Sequence, residues 1–198
     1  MFLENQKIIP LKFGYNCICP DGKHTERYIE IPLALWFMTN IIKNDPVLEL
    51  GCTLPYYIQK DKNHIVYDLM DNHPDNIKKD IRTLIDDDYK TNIVSISTIE
   101  HINQNQYNIS TIDEKFSAVY VLNKIRQFSK KYFITVPIGQ NPLLDNYLLT
   151  NDIGQKFIGR TPLKTNNWDF IEKSNLTMEH TIDATWRAAN CICVLYKI

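Results

Sequence analysis

Short apolar runs rich in β-branched residues recur along this chain and alternate with longer polar or helix-patterned segments. The runs are PVLELGC (46–52), HIVYDL (64–69), TNIVSIST (91–98), YFITVP (132–137) and NCICVLYKI (190–198). Apolar runs this short, bounded by turn residues, fit strands better than helices. Between the third and fourth runs, Ile112, Phe116, Val119, Leu122, Ile125 and Phe128 recur at helical spacing and predict an amphipathic helix. A second helix is predicted over 31–43, where Leu35, Met38, Ile41 and Ile42 share one face and Asn44-Asp45-Pro46 ends the pattern. Pro32 then falls in a first turn, where its missing N–H costs nothing. A shorter helix is expected over 142–150. Near-continuous apolar strands alternating with helices predict a mostly parallel sheet covered on both faces, a three-layer α/β/α sandwich.

The chain of 198 residues is 44% hydrophobic and 23% charged and shows no internal repeat or Pro- or Gly/Ser-rich linker, which predicts a single domain over 1–198. Within it, residues 1–30 read as an N-terminal arm or hairpin around the turn signal Pro20-Asp21-Gly22. Residues 31–198 read as the α/β core, with 138–168 as a loop region on the substrate side. Thr177–Trp186 and the final run lie too close together for a crossover helix, so an antiparallel hairpin is expected at one end of the sheet.

In open α/β sheets ligands bind beyond the carboxyl ends of the strands, so the residues ending each run are the candidates. Gly51 in Glu49-Leu50-Gly51-Cys52-Thr53 lets the chain turn sharply after the first run. Asp68 ends the second run about 20 residues after Glu49, where nucleotide-binding sheets place the carboxylate that accepts hydrogen bonds from ribose hydroxyls. Asp80-Ile81 follows. The run at 91–98 leads through Ser97 directly into Glu100 and His101, a carboxylate beside an imidazole.

The order ELGC, YDL, KKDI and NIVSISTIEHI resembles the class I S-adenosylmethionine-dependent methyltransferases, and in particular a bacterial branch with SISTxEH and TVPxGxNP motifs, here 95–101 and 135–142. The similarity extends to ERYIEIP at 26–32, so it covers most of the chain. It implies a Rossmann-like sheet finishing with an antiparallel strand and S-adenosylmethionine as cofactor. It further implies cofactor contacts from Glu49, Gly51, Cys52, Asp68, Asp80, Ile81 and Ser97. His101 is the implied base and Glu100 its catalytic neighbour, because an imidazole suits proton removal near neutrality. The implied activity is methyl transfer to a small-molecule or saccharide-type acceptor. A single glycine stands where most such enzymes have GxGxG, Asn92 replaces the usual acid opening the fourth strand, and Ser129-Lys130-Lys131 replaces a Gly-Gly pair. These departures motivate the alternative of a methyltransferase-like binding or interaction protein without activity. A nicotinamide-dependent enzyme would also use an acid at the position of Asp68, but GxGxxG is missing.

A net charge of -1 with dispersed Lys and Arg points away from a nucleic-acid track. The apolar runs are far shorter than a membrane span and Glu4 and Gln6 interrupt any signal-like core, so a cytoplasmic protein with no membrane partner is expected. Cys17/Cys19, Cys52 and Cys191/Cys193 do not suggest a disulfide framework, and reduced thiols are expected. No metal site is expected: Cys17, Cys19 and His24 lack zinc-ligand spacing, and Asp86-Asp87-Asp88 lacks the glycine and glutamate of a calcium loop. Arg160, Lys164 and Arg187 are weak candidates for pairing with an anionic group on the substrate, with Tyr147, Phe157 and Trp168 as apolar neighbours.

Overall fold

A computed structural model describes residues 25–103, 117–161, 163, 167–176 and 189–198. The predicted arm or hairpin before residue 25, Cys17, Cys19, His24, Ile112, Phe116, Lys164, Arg187 and the strand expected over 177–186 lie outside the described residues.

The described elements form a mixed α/β fold. Strands β1 (Val47–Leu50), β2 (His64–Tyr67), β3 (Asn92–Ile96) and β4 (Tyr132–Pro137) coincide with the first four apolar runs. They are joined by β5 (Lys156–Arg160), β6 (Trp168–Ile171) and β7 (Cys191–Lys197) in a seven-stranded sheet of order β2-β1-β3-β4-β7-β5-β6. β1 pairs in parallel with both β2 and β3, and β3 with β4. β7 runs antiparallel to β4 on one side and to β5 on the other, and β6 closes the far edge antiparallel to β5.

The last strand is therefore antiparallel, as expected, but among the described strands it lies inside the sheet and not at one end of it. Both edges of β7 are taken, with Val194 opposite Thr135 of β4 and also opposite Lys156 of β5. Its burial explains this position: Cys191 through Leu195 are almost wholly shielded, which an interior strand requires. Helix α3 (Pro142–Thr150) has the bounds expected for it, while the loop region expected over 138–168 also contains a strand, β5, that was not foreseen. In KFIGR only Phe157 and Ile158 are strongly apolar, and the glycine and flanking cations hide the strand from pattern reading. Gly159 has a packing role, since a Cβ there would lie 2.2 Å from Ile171 Cδ1 across the pair of strands.

Helix α1 (Arg27–Phe37) begins earlier than predicted, which places Pro32 in the helix interior rather than the first turn. The apolar stripe misses the first turn because its buried face there includes a charged residue, Glu30. Past Phe37 the helix widens into a π-turn (Met38–Ile42), in which Lys43 N–H donates to Met38 O at 2.7 Å, and Lys43 stops it at φ 60°. Helix α2 (Ala118–Phe128) starts at Ser117, whose hydroxyl accepts from Tyr120 N–H, and presents Val121, Leu122 and Ile125 to the core.

Side chains alternate along the strands and divide the core. Leu48, Leu50, Ile93, Ile134, Val136 and Cys193 join α2 and α3 in one cluster. Val47, Val94, Ile96, Phe133, Ile192 and Val194 join α1 in another, where the Phe37 and Phe133 rings lie 5.5 Å apart. Burying one such ring contributes about 1.5–3 kcal/mol, so both clusters hold the sheet rigid beneath the strand ends.

Candidate functional site at the strand ends

β1 lies between β2 and β3, so the chain order reverses there, and a crevice opens beyond the carboxyl ends of these strands. A cavity of about 380 Å³ occupies it. Gly51–Thr53 after β1, Tyr67–Asp71 after β2, Asp80–Arg82, and Ser97, Thr98 and His101–Asn103 after β3 form its walls.

The turn after β1 is fixed from below by Glu49. Its Oε1 accepts from Thr53 N–H at 2.8 Å and Leu54 N–H at 2.7 Å, and its Oε2 meets His64 Nε2 at 2.7 Å. With both oxygens engaged inside the protein and no exposed surface, Glu49 shapes the turn and does not line the cavity. Gly51 takes φ 89°, and a Cβ at this position would lie 1.9 Å from Thr98 Oγ1. Only glycine lets the ends of β1 and β3 come this close. Cys52 is buried, and its thiol is pushed well up by desolvation and by the neighbouring Asp71 and Glu49 carboxylates, so it is a wall and not a nucleophile.

Asp68 bridges two turns. Its Oδ2 accepts from Cys52 N–H at 3.1 Å, and its Oδ1 accepts from Met70 and Asp71 N–H at 2.7 and 2.8 Å. Oδ2, with a single donor, retains acceptor capacity, whereas Oδ1 is already doubly bonded. Asp80 caps the short turn Ile81–Thr83 and holds Arg82 through both carboxylate oxygens. Burial pushes the Asp80 carboxyl up, but the hydrogen bonds from Arg82 outweigh this and hold it below its ordinary value. Arg82 Nη1 in turn reaches Asn103 Oδ1 at 3.3 Å, linking this wall to the turn after β3.

Ser97 adopts φ 42°, an uncommon conformation for a residue with a side chain, and its hydroxyl donates to Glu30 Oε1 at 2.6 Å. His101 lines the cavity, and burial together with the Arg27 charge lowers its pKa against the opposing pull of Asp68. Its imidazole is thus neutral at neutral pH. Glu100 lies behind it, with Oε1 3.7 Å from His101 Nε2 and a side chain only 1% exposed. Desolvation raises the Glu100 carboxyl well above its ordinary value, and Glu30 and Glu26 add to the rise.

Apart from Glu49 and Glu100, the sequence-derived candidates all meet in this cavity. Asp71, Arg82 and Asn103 join the walls unforeseen, as do Arg27 and Glu30 behind them. Asp71 had a local signal, since a DLxD spacing after a strand brings two carboxylates to one turn. The weaker candidates that fall among the described residues lie elsewhere. Arg160 is 1% exposed, donates from Nε to Ala189 O at 3.2 Å and stacks 4.4 Å from the Trp168 ring. Tyr147 donates to Asn123 between α3 and α2, and Phe157 belongs to the core. Cys191 and Cys193 are buried in β7. Among the described residues no three His, Cys, Asp or Glu side chains converge as metal ligands, and no helix is long and apolar enough to cross a membrane.

No protein-family model matches the chain, and no curated protein matches it.

Proposed function

We propose that this protein is an S-adenosylmethionine-dependent methyltransferase acting on a small-molecule or saccharide-type acceptor, built as a Rossmann-like three-layer sandwich. The observation that carries the reading is the convergence of Gly51, Asp68, Asp80-Ile81, Ser97 and His101 on one cavity at the reversal of strand order. The two apolar clusters on opposite faces and the antiparallel β7 support the proposed fold.

The cavity volume lies in the range of small-ligand sites, and the close approach of Gly51 to Thr98 draws the ends of β1 and β3 together at its wall. Asp68 is the acceptor for ribose hydroxyls, Ile81 the apolar flank of a base, and the turn at Gly51–Thr53 the contact for an amino-acid end. The cofactor supplies an already activated methyl group. The protein therefore has mainly to align the acceptor and exclude water. The neutral His101 imidazole is in the protonation state that accepts a proton from a hydroxyl. Cys52, Cys191 and Cys193 are free thiols, which supports a cytoplasmic setting.

Calorimetric titration with S-adenosylmethionine, S-adenosylhomocysteine and NADH tests this reading. Micromolar binding of the first two, lost in Asp68→Ala, followed by S-adenosylhomocysteine release with an acceptor panel, is the expected result. Binding of the first two without turnover on any acceptor supports the inactive binding protein instead. Binding of NADH alone would make the site nicotinamide-dependent.

A further inference from the structure

The carboxylate of Asp80 is spent inside the protein. Its Oδ1 accepts from Arg82 backbone N–H at 2.9 Å and from Arg82 Nε at 3.0 Å, and its Oδ2 accepts from Nε at 3.0 Å and Nη2 at 2.6 Å. Two donors on each oxygen leave no lone pair for a ligand. What this end of the cavity offers instead is donors. A guanidinium carries five N–H groups. In Arg82 two of them go to Asp80 and one to Asn103 Oδ1 at 3.3 Å, so one remains on each Nη. Because Arg82 can only donate, it turns the Asn103 amide with Oδ1 toward itself, and Asn103 Nδ2 makes no bond among the described residues. Arg82 and Asn103 both line the cavity.

Two further features define what these donors meet. Leu69 and Met70 line the same cavity with 41% and 57% of their surface exposed, beside Ile81 and Ile102, and a flat ring covers apolar surface of this kind. The Arg82 charge, meanwhile, is balanced by Asp80 at 2.6 Å, and Asp68 and Asp71 stand in the same cavity, so an anion gains little here. A neutral flat group with hydrogen-bond acceptors on its edge satisfies both conditions. A nucleobase presenting a ring nitrogen or a carbonyl oxygen is such a group.

We propose that Arg82 and Asn103 read the base of the bound nucleoside by donating to its hydrogen-bond acceptors, with Asp80 as the positioning residue that holds Arg82 in place. With Asp80 spent, the 6-amino group of adenine goes unread, and the site takes a 6-oxo purine as readily. The inference rests on the reading of this cavity as the S-adenosylmethionine site and adds which feature of the base it selects. The cavity is then polarised to match a nucleoside. Asp68 Oδ2 receives the hydroxyl donors of the ribose, while Arg82 and Asn103 meet the acceptors of the base. A site that bonded the 6-amino group would reject a ligand lacking it by orders of magnitude, so the 6-oxo form separates the two arrangements.

The test is calorimetric titration of the full chain with S-adenosylhomocysteine and S-inosylhomocysteine, which differ only at position 6 of the purine. The inosyl form should bind less than about fivefold more weakly than the adenosyl form, and a larger loss overturns the proposal. Arg82→Met keeps the backbone N–H and the side-chain length, removes every guanidinium donor and frees Asp80. It should weaken S-inosylhomocysteine at least about tenfold and S-adenosylhomocysteine less, because the released carboxylate can then accept from the 6-amino group. Equal losses, or none, in a variant that still melts cooperatively overturn the proposal. If that variant fails to fold, Asn103→Asp keeps the bond from Arg82 and deletes the Nδ2 donors, and an unchanged affinity for S-inosylhomocysteine has the same force. Protein that binds NADH and neither homocysteine ligand overturns the methyl-transfer reading. NADH against its 6-oxo counterpart then tests the base end by itself, with the same fivefold limit. Binding of no nucleoside ligand overturns both.

Discussion

The backbone N–H of Cys52 donates to Oδ2 of Asp68 at 3.1 Å, so the turn that ends β1 and the turn that ends β2 form one hydrogen-bonded unit. The same carboxylate that is proposed to receive ribose hydroxyls thus also sets the shape of the cavity that receives them. Replacing it by Asn keeps the size but swaps half of the acceptors for a donor. Asp68→Asn should weaken S-adenosylmethionine binding at least tenfold in a calorimetric titration and lower stability by about 1–2 kcal/mol in a urea melt. Unchanged affinity would remove Asp68 from the site.

Gly51→Ala should be destabilising by at least about 2 kcal/mol, because it combines a left-handed backbone with a Cβ 1.9 Å from Thr98 Oγ1. Cutting Thr98 back to Ala in the same chain removes the clash and leaves the backbone strain. The double variant should therefore recover part of the lost stability. A double variant no more stable than Gly51→Ala would show that the contact is not what limits the turn.

Glu49→Ala leaves two backbone N–H groups and the His64 ring without their buried acceptor. A loss of about 3–5 kcal/mol is expected by chemical denaturation, and cofactor affinity should fall through the displaced turn rather than a lost contact. A loss below about 1 kcal/mol would show that the turn after β1 holds itself.

Asp145 in α3 accepts from Gly139 N–H at 3.0 Å, and burial pushes its carboxyl up to about 6 against the pull of backbone N–H groups. A carboxyl with a raised value is harder to ionise folded than unfolded. Its cost is therefore absent at low pH, grows as pH rises from about 4 to about 6, and stays constant above that. Asp145→Asn should be more stable than the parent by up to about 2–3 kcal/mol above pH 6.5, with the advantage fading below pH 4. Melting temperatures measured across that window check the sign, and a parallel pair of pH profiles would refute it.

Much of this arrangement could be read from residue order. The four parallel strands declare themselves as short β-branched apolar runs, as Ile93, Val94 and Ile96 show in NIVSI, a strand buried on both faces. Their ends then place Gly51, Asp68 and Ser97 near one another by topology alone. β5 escaped because the glycine and flanking cations of KFIGR break the apolar run although the strand is buried, and β6 because WDFI lies at the edge, where burial is patchy. The carboxylate behind Ser97 escaped for a different reason. Glu30 interrupts an apolar helix face, and sequence spacing cannot tell that its partner is Ser97, 67 residues away.

Asn141 is an example of a residue whose role only the fold reveals. Its Oδ1 accepts from Leu144 N–H at the start of α3, and its Nδ2 donates to Glu100 O at 3.0 Å and Ile102 O at 3.3 Å. Asn141→Ala should cost about 1–2 kcal/mol in a denaturant melt. It should also raise the KM for the acceptor more than it lowers kcat. An unchanged KM would detach α3 from the acceptor side of the site.

The place of β7 between β4 and β5 bears on how the chain reaches its fold during synthesis. Until residues 191–197 have left the ribosome, β4 and β5 each have an unfilled ladder of backbone donors and acceptors on facing edges. The strands around the cavity, β1 to β4, have their parallel partners in the chain before β7 is made. Such open edges invite pairing with other chains. A ribosome stalled before residue 191 should accordingly yield a species that aggregates, although every residue lining the cavity has already been made.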